Sequence, residues 1–294
     1  MMNSYVSRRS GQVPLQQHTL LATRLHTIGT CAVDSLLLEL ATWPKPGLVS
    51  YMDSGSHTDM DAALFERSAR AIAPYFFLLA VAGARGCEMS HLRVVGLEAE
   101  AAMFEATKGV NTHRGSIFGL GLLCAAAGAR TAGRVEATMP LGAVVATLWG
   151  HSILDGPVLL HSHGSRARLR FGAGGARMQA SRGFPGIYEI GLPAMQRAAR
   201  HRPGNFEAAR VEACFALIAA LEDTNLLHRG GLHGLRFAQR QARQFLDAGG
   251  VATGGWITRA RTVHENFVAR RLSPGGSADL LAFTLFVDAQ EGCQ

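Results

Sequence analysis

Apolar residues recur at three- and four-residue steps along most of the chain, which is the spacing of one face of an α-helix. In residues 19–41, several apolar side chains share such a face: Leu21, Leu25, Ile28, Ala32, Leu36 and Leu40. Similar patterns predict further helices at residues 61–82, 90–108, 112–129, 205–224, 232–248, 258–271 and 280–287, and residues 138–149 form another buried apolar segment. With no alternating strand pattern and no sustained repeat, the sequence predicts an all-α fold, a single compact bundle of roughly ten helices with its functional loops at helix ends.

The N-terminus and the cysteines indicate the compartment. Residues 1–18 contain Arg8 and Arg9 but no apolar signal core, so we expect a flexible N-terminal arm before a single helical catalytic domain at residues 19–294. The longest apolar runs, at residues 71–84 and 117–129, are shorter than the roughly 20 residues of a membrane span. The five cysteines are scattered without a C-x-x-C pair, which argues against a disulfide framework. We therefore expect a cytoplasmic protein that contacts no membrane.

Composition and charge narrow the class of partner. Of the residues, 48% are hydrophobic, and alanine, leucine and glycine dominate, which favours helices that pack closely through small side chains. The net charge of +7 indicates an anionic partner, either nucleic acid or a phosphorylated small molecule. The densest basic cluster has few aromatic residues and contains Arg166, Arg168, Arg170, Arg177 and Arg182. Surfaces that bind nucleic acid usually combine basic residues with aromatic residues, so we expect no nucleic-acid partner. The alternative for this basic cluster is a solvated loop.

The candidate chemistry begins in residues 42–61, an irregular segment between two predicted helices. Pro44 and Pro46 exclude a regular helix at its start, and long polar connections more often carry function than not. The segment contains five ionisable side chains: Lys45, Asp53, His57, Asp59 and Asp61. Asp59 and Asp61 are either catalytic carboxylates or caps of the helix that follows. Glu39 lies in the last turn of the preceding helix, where a negative charge is unfavourable, so it is either exposed or paired with a nearby cation.

Residues 109–116 open a very apolar helix, for which Asn111 or Thr112 can act as the cap. His113 and Arg114 fall in its first turn, where positive charge is unfavourable unless an anion binds. The spacing of a P-loop is absent. This helix start is nevertheless a candidate phosphate-binding site.

Three further segments are less specific. Around residues 273–279, Gly275 and Gly276 leave backbone amides free at a helix start, which suits an anion, although a simple connection between helices explains them nearly as well. Residues 223–231 are predicted to form a glycine-terminated turn. His161 and His163 can ligate a metal, but no third ligand stands nearby, and contacts with backbone or solvent are the alternative.

Four segments together resemble one family, the triphosphoribosyl-dephospho-CoA synthases. They are Glu39-Leu-Ala-Thr-Trp-Pro-Lys-Pro-Gly-Leu-Val with Gly55-Ser-His-Thr-Asp-Met-Asp, Gly109-Val-Asn-Thr-His-Arg-Gly-Ser-Ile-Phe-Gly-Leu-Gly-Leu-Leu, Asp223-Thr-Asn-Leu-Leu-His-Arg-Gly-Gly, and Leu272-Ser-Pro-Gly-Gly-Ser-Ala-Asp-Leu-Leu-Ala. They occur in the family's order and extend from residue 39 to residue 282. The family is all-helical. The chain resembles the malonate decarboxylase branch more than the citrate lyase branch in its length and in the sequence Val-Asn-Thr-His-Arg-Gly-Ser. It departs from the family pattern at Tyr51-Met-Asp53, because that pattern has an acid nearer to Val49.

The resemblance implies that ATP and 3′-dephospho-CoA form 2′-(5″-triphosphoribosyl)-3′-dephospho-CoA and adenine, with inversion at the ribose carbon by analogy with inverting glycosidases. The product would pass to a transferase that acts on the acyl carrier protein of malonate decarboxylase or citrate lyase. The candidate catalytic carboxylates are Asp59, Asp61, Glu39 and Asp279. The candidate contacts for ATP and its phosphates are Lys45, Asn111, Thr112, His113, Arg114, Gly115, Arg229, Ser273, Gly275 and Gly276. Mg²⁺ is expected beside the triphosphate, with Asp59 and Asp61 as its ligands.

Two other readings fit the same residues. A helical nucleotide N-glycosidase or hydrolase would use the same acids and basic groups, but would release adenine from ATP without dephospho-CoA. A non-enzymatic basic module would bind polyanions in a salt-sensitive way and consume no ATP. The acid-bearing loop and the sparse aromatic residues argue against this module.

Overall fold

The computed structural model describes residues 15–157 and 174–292. Within them the chain forms eleven α-helices and no strand, which confirms the predicted all-α fold. The helices are α1 (Leu15–Ala41), α2 (Ala62–Arg85), α3 (Met89–Ala106), α4 (Arg114–Thr131), α5 (Leu141–Leu154), α6 (Gly175–Ser181), α7 (Leu192–His201), α8 (Phe206–Ala220), α9 (Thr224–Asp247), α10 (Trp256–Ala269) and α11 (Gly275–Glu291). A π-helical turn (Gly186–Gly191) precedes α7, and a 3₁₀ turn (Gly250–Ala252) follows α9.

Helix α4 is the centre of the bundle, because thirteen of its eighteen residues are buried. It lies almost in backbone contact with α2. A Cβ atom at Gly83 would fall 1.8 Å from the carbonyl oxygen of Ala125, and one at Gly128 would fall 1.9 Å from that of Ala80. The predicted close packing through small side chains is therefore confirmed at this crossing. Within the two described ranges, no helix has both the length and the apolar character needed to cross a membrane.

The structure corrects two predicted boundaries near the candidate site. Residues 223–231 do not form a turn, since α9 already begins at Thr224 and only Gly231 leaves helical geometry, with φ of 58°. The last helix begins at Gly275 and not at residue 280. Both helix starts depend on Asp223, whose Oδ1 accepts from the amides of Asn225 and Leu226 while Oδ2 accepts from the amide of Ser277. The second contact joins residues far apart in sequence, so local periodicity does not reveal it.

The structure also extends α1, adds two helices that were not predicted, and leaves some predicted features outside the described residues. Helix α1 begins at Leu15, before the predicted start at residue 19, and α6 and α7 were not predicted. Residues 1–14 of the expected N-terminal arm lie outside the described residues. So do His161 and His163 of the possible metal pair, together with Arg166, Arg168 and Arg170 of the basic cluster.

Candidate active site

A cavity of about 1410 Å³ lies between the C-terminal end of α1, the α1–α2 loop (residues 42–61), and the N-terminal ends of α4, α9 and α11. It exceeds the roughly 300–1,000 Å³ of pockets that hold one drug-sized ligand, so it has room for more than one nucleotide. All but two of the predicted site residues line it: Glu39, Asp59, Asn111, Thr112, His113, Arg114, Gly115, Arg229, Ser273, Gly275, Gly276 and Asp279. The exceptions are Lys45 and Asp61. Segments distant in sequence thus meet at one site.

The acidic part of the cavity centres on Asp279, in the second turn of α11. Ser116 Oγ donates a hydrogen bond of 2.5 Å to its Oδ1. The carboxyl group also lies against the first turn of α4, because a Cβ at Gly115 would fall 2.0 Å from Oδ2. Burial is the main cause that raises the pKa of Asp279 to about 7, and the charges of Glu39 and Asp223 raise it further while the Ser116 bond opposes them. A carboxyl group with this pKa can take up or release a proton at neutral pH.

Glu39 lines the same cavity and is paired with Lys45, as one of the two predictions for it required. Lys45 Nζ donates to Glu39 Oε1 at 2.5 Å and to the Glu39 carbonyl oxygen at 2.6 Å. Burial raises the pKa of Glu39, and the ammonium group opposes that effect. Lys45 itself is 1% exposed and does not line the cavity. The structure therefore makes Lys45 the counter-ion of Glu39, contrary to the predicted phosphate contact.

A second, more open part of the cavity contains Arg229, His57 and Ser273. Arg229 Nη2 lies 3.1 Å from His57 Nδ1, and His57 Nε2 lies 2.9 Å from Ser273 Oγ. Burial, followed by the charge of Arg229, lowers the pKa of His57. A neutral ring that accepts from Arg229 and donates to Ser273 satisfies both contacts. The approach of Asp59 to His57 at 3.5 Å is then not an ion pair.

The start of α11 adds hydrogen-bond donors beside this cluster. Gly275 and Gly276 are its first residues, so their N–H groups have no intrahelical acceptor. They line the cavity together with Ser273. This arrangement can receive an anion, as the sequence predicted for this segment.

The two acids of the α1–α2 loop have different places. Asp61 is the N-cap of α2 and accepts a hydrogen bond of 2.8 Å from the amide of Leu64, so its capping role is confirmed and it does not line the cavity. Asp59 does line the cavity, and its side chain is 60% exposed. The pair expected to bind Mg²⁺ together is thus divided. Within residues 15–157 and 174–292, no group of three or more His, Cys, Asp or Glu side chains is placed to hold a metal ion.

The start of α4 differs in its charges from the sequence prediction. Burial lowers the pKa of His113 to about 3, so its ring is neutral, and Nδ1 lies 2.7 Å from Ser68 Oγ. Arg114 pairs with Glu100 of α3 at 2.9 Å. A carboxylate of the protein thus occupies the place of the anion inferred for this turn. A phosphate contact of His113 stays a prediction, restricted to a hydrogen bond from a neutral ring.

The other two polar residues before α4 have separate partners. Asn111 Oδ1 accepts from the amide of Arg114 at 3.3 Å, which supports Asn111 in its predicted capping role. Thr112 instead donates to Ser68 Oγ at 2.6 Å. His113 is the residue at the N-cap position, and its side chain caps no amide.

Several lining residues were not assigned a role from the sequence. His57, Ser116 and Asp223 stand within the quoted segments, so their positions in those segments were the available signal. Glu100 was missed because its partner Arg114 lies on another helix. Arg93 and Arg182 also line the cavity, and nothing in their spacing indicated it.

Comparison with known proteins matches residues 25–294 to the CitG family, described as ATP:dephospho-CoA triphosphoribosyl transferase. The chain is similar to a protein of Stutzerimonas stutzeri named "Probable 2-(5″-triphosphoribosyl)-3′-dephosphocoenzyme-A synthase", with 41% identity over 265 residues, covering 87% of this chain and 89% of the relative. It is also similar to the Klebsiella pneumoniae protein named "2-(5″-triphosphoribosyl)-3′-dephosphocoenzyme-A synthase", with 40% identity over 272 residues, covering 87% and 88% of the two chains. No solved structure matches the chain.

Proposed function

The chain belongs to the CitG family of ATP:dephospho-CoA triphosphoribosyl transferases and is therefore a pentosyltransferase, and from this premise we propose that the transfer takes place in the cavity between α1, α4, α9 and α11. The observation that carries the proposal is the convergence of the four family-like segments. Glu39, Ser116, Arg229 and Asp279 come from four different segments of the sequence and line one cavity. The cavity thus contains both acids and hydrogen-bond donors that suit phosphate.

The proposed reaction breaks the bond between C1 of the ATP ribose and N9 of adenine. A bond forms between that C1 and the 2′-oxygen of 3′-dephospho-CoA. The 2′-hydroxyl loses its proton to a base, and the departing adenine takes up a proton, so the reaction is balanced without an oxidant or a reductant. The triphosphate stays on the transferred ribose, and positive charge develops on that ribose during transfer.

Asp279 is the proposed base. It is buried, its pKa is raised to about 7, and Ser116 orients one of its oxygens. A base with a pKa near the working pH is the most effective proton acceptor at that pH. Glu39, held by Lys45, is the proposed ionised carboxylate that stabilises the positive ribose. Two acids in different environments can therefore have different roles.

The proposed triphosphate seat is the cluster of Arg229, Ser273, Gly275 and Gly276. The two helix-start amides have no intrahelical acceptor, and the guanidinium group of Arg229 adds a charged donor, although it also contacts His57 and the carbonyl oxygens of Ser56 and Arg271. Mg²⁺ would neutralise the triphosphate when bound. Asp59 fits as its protein ligand because it is exposed to the cavity, whereas Asp61 does not fit because it caps α2. Mg²⁺ bound to nucleotides commonly has only one or two protein carboxylates.

The proposal also covers the use of the product and the location of the protein. The product would serve as precursor of the prosthetic group of an acyl carrier subunit. The sequence of residues Val110–Ser116 favours the subunit of malonate decarboxylase over that of citrate lyase. A transferase would attach it to that subunit. A cytoplasmic location agrees with Cys31, Cys87, Cys124 and Cys214, which are free thiols.

The test is mass spectrometry of the products formed by the purified full-length chain from ATP and 3′-dephospho-CoA. We expect one adenine per product and a product mass equal to the two substrates minus adenine. The 2′-deoxy form of 3′-dephospho-CoA is the matched control and should give no product. Adenine released from ATP alone at the same rate would overturn the transfer and identify a hydrolase. Incubating the product with the transferase and either acyl carrier subunit tests the destination.

A further inference from the structure

His264 of α10 lies outside the cavity lining but contacts the α1–α2 loop at two points. Its Nδ1 is 2.7 Å from the carbonyl oxygen of Lys45. Its Nε2 is 3.2 Å from Oδ1 of Asp53. The ring is buried, with 7% of the side chain exposed. A buried histidine of one helix thus contacts both the first part and the middle of a loop distant from it in sequence.

The contact with the carbonyl oxygen fixes the direction of the hydrogen bond at Nδ1. A carbonyl oxygen carries no proton, so the contact at 2.7 Å makes Nδ1 the donor. The amide of Gly47 also approaches Nδ1, but at 3.3 Å, and the shorter contact decides the assignment. Asp53 then faces Nε2 with a carboxylate oxygen, which also accepts from the amide of Gly55 at 2.8 Å. The Asp53 carboxylate therefore lies within ion-pair distance of the second ring nitrogen.

The loop that His264 holds contains Lys45, the counter-ion of the candidate catalytic residue Glu39. His264 fixes the carbonyl group of Lys45, and the ammonium group of the same residue fixes Glu39. Asp53 holds the turn that leads to His57 and Asp59, both of which line the cavity. A shift of the loop would therefore move both the acidic and the phosphate-binding parts of the site.

We propose that His264 and Asp53 are positioning residues of the transferase, which clamp the α1–α2 loop so that Glu39 and the His57–Asp59 segment keep their places. The proposal rests on the proposed function. It gives Asp53, which departs from the pattern of the family-like segment, a role at a distance from the substrates. The clamp does not determine folding by itself, because Ser56 Oγ also donates to the carbonyl oxygen of Leu272 at 2.6 Å.

Asp53→Ala is the decisive variant, because the Asp53 side chain is 40% exposed and its loss has little effect on folding. We expect kcat to fall by about tenfold, since small misplacements of reacting groups have effects of this size or larger. The KM values for ATP and 3′-dephospho-CoA should change by a smaller factor than kcat, because no contact with either substrate is removed. Glu265→Ala is the matched control. It removes an exposed ion pair from the same helix, with Arg261, and should leave kcat unchanged.

Two further variants separate the clamp from a general structural effect. Asp53→Asn keeps an acceptor for the Gly55 amide and a polar group beside Nε2 of His264, so it should recover most of the lost activity. Combining Asp53→Ala with His264→Gln should lower kcat no further than His264→Gln alone, because both act through one contact. Unchanged kcat in Asp53→Ala, or fully additive effects in the double variant, would overturn the clamp. Failure of the unmodified chain to make the product would instead overturn the proposed function.

Discussion

Replacing Asp279 with Asn tests the central assignment, because it should improve stability while it removes activity. The amide keeps the size of the side chain and can still accept from Ser116, but it cannot ionise. Burial raises the pKa of Asp279 from 3.8 to about 7, so the ionised form is less stable in the folded protein than in the unfolded chain. The unfolded chain loses its proton first as the pH rises. Asp279 therefore lowers the free energy of unfolding progressively between about pH 4 and pH 7, by roughly 4 kcal/mol in all.

The measurement compares the free energy of unfolding of both proteins in denaturant at pH 5 and at pH 8. Less than half of this penalty is present at pH 5, so the advantage of Asp279→Asn should grow by roughly 2 to 3 kcal/mol between the two pH values. Taking the difference between the proteins cancels titrations that they share. Adenine release by the variant should fall about 10²- to 10⁴-fold, the usual contribution of a general base. In the unmodified enzyme, kcat/KM should rise with pH through about 7, because the base must lose its proton.

Asp288→Asn is a matched control, since it lies on the same helix but outside the large cavity, and it should keep full kcat. Equal stability differences at pH 5 and pH 8 would refute the raised pKa of Asp279. Full activity in a folded Asp279→Asn protein would refute its role as the base. The two results are independent, so each part of the reasoning can fail alone.

Four other substitutions test the remaining assignments. Asp61→Ala should lower the free energy of unfolding by about 1 kcal/mol through loss of the helix cap and leave kcat unchanged. Asp59→Asn should instead raise the Mg²⁺ concentration needed for half-maximal adenine release. Arg229→Ala should raise KM for ATP by about tenfold through loss of a charged donor, and an unchanged KM in steady-state kinetics would contradict the phosphate seat. Lys45→Met should cost about 3 kcal/mol in denaturant unfolding because it leaves Glu39 buried without a cation, and adding Glu39→Gln should restore most of that stability.

Local sequence was sufficient for most helices, and insufficient wherever a distant partner decides the structure. The apolar spacing in residues 19–41 and 61–82 reflects contacts along one helix face, so α1 and α2 were predicted to within a few residues. The starts of α9 and α11 depend on Asp223, which caps one helix and binds an amide of the other. No periodicity contains that contact. The family-like segments all contribute to the lining of the candidate cavity, but the sequence did not show which residues of each segment face it.

Charges were the least predictable part of the site, because burial and partners decide them. Lys45 looked suited to a phosphate, yet it turns away from the cavity to Glu39. His113 looked cationic, yet burial keeps it neutral. Arg114 at a helix start suggested a bound anion, and Glu100 supplies that charge. In each case the residue type was visible in the sequence and its environment was not.

The separation of roles between Glu39 and Asp279 depends on where Lys45 lies. The ammonium group contacts Glu39 and favours its ionised form, while the negative charge of Glu39 raises the pKa of Asp279. One buried cation thus favours the ionised form of one acid, and the charge on that acid helps the other retain a proton near neutral pH. Glu39→Gln should therefore move the acid limb of the kcat/KM profile to lower pH, in addition to lowering kcat. If the limb stays in place while kcat falls, the two carboxyl groups are not coupled, and the raised pKa of Asp279 must come from its burial and Asp223 alone.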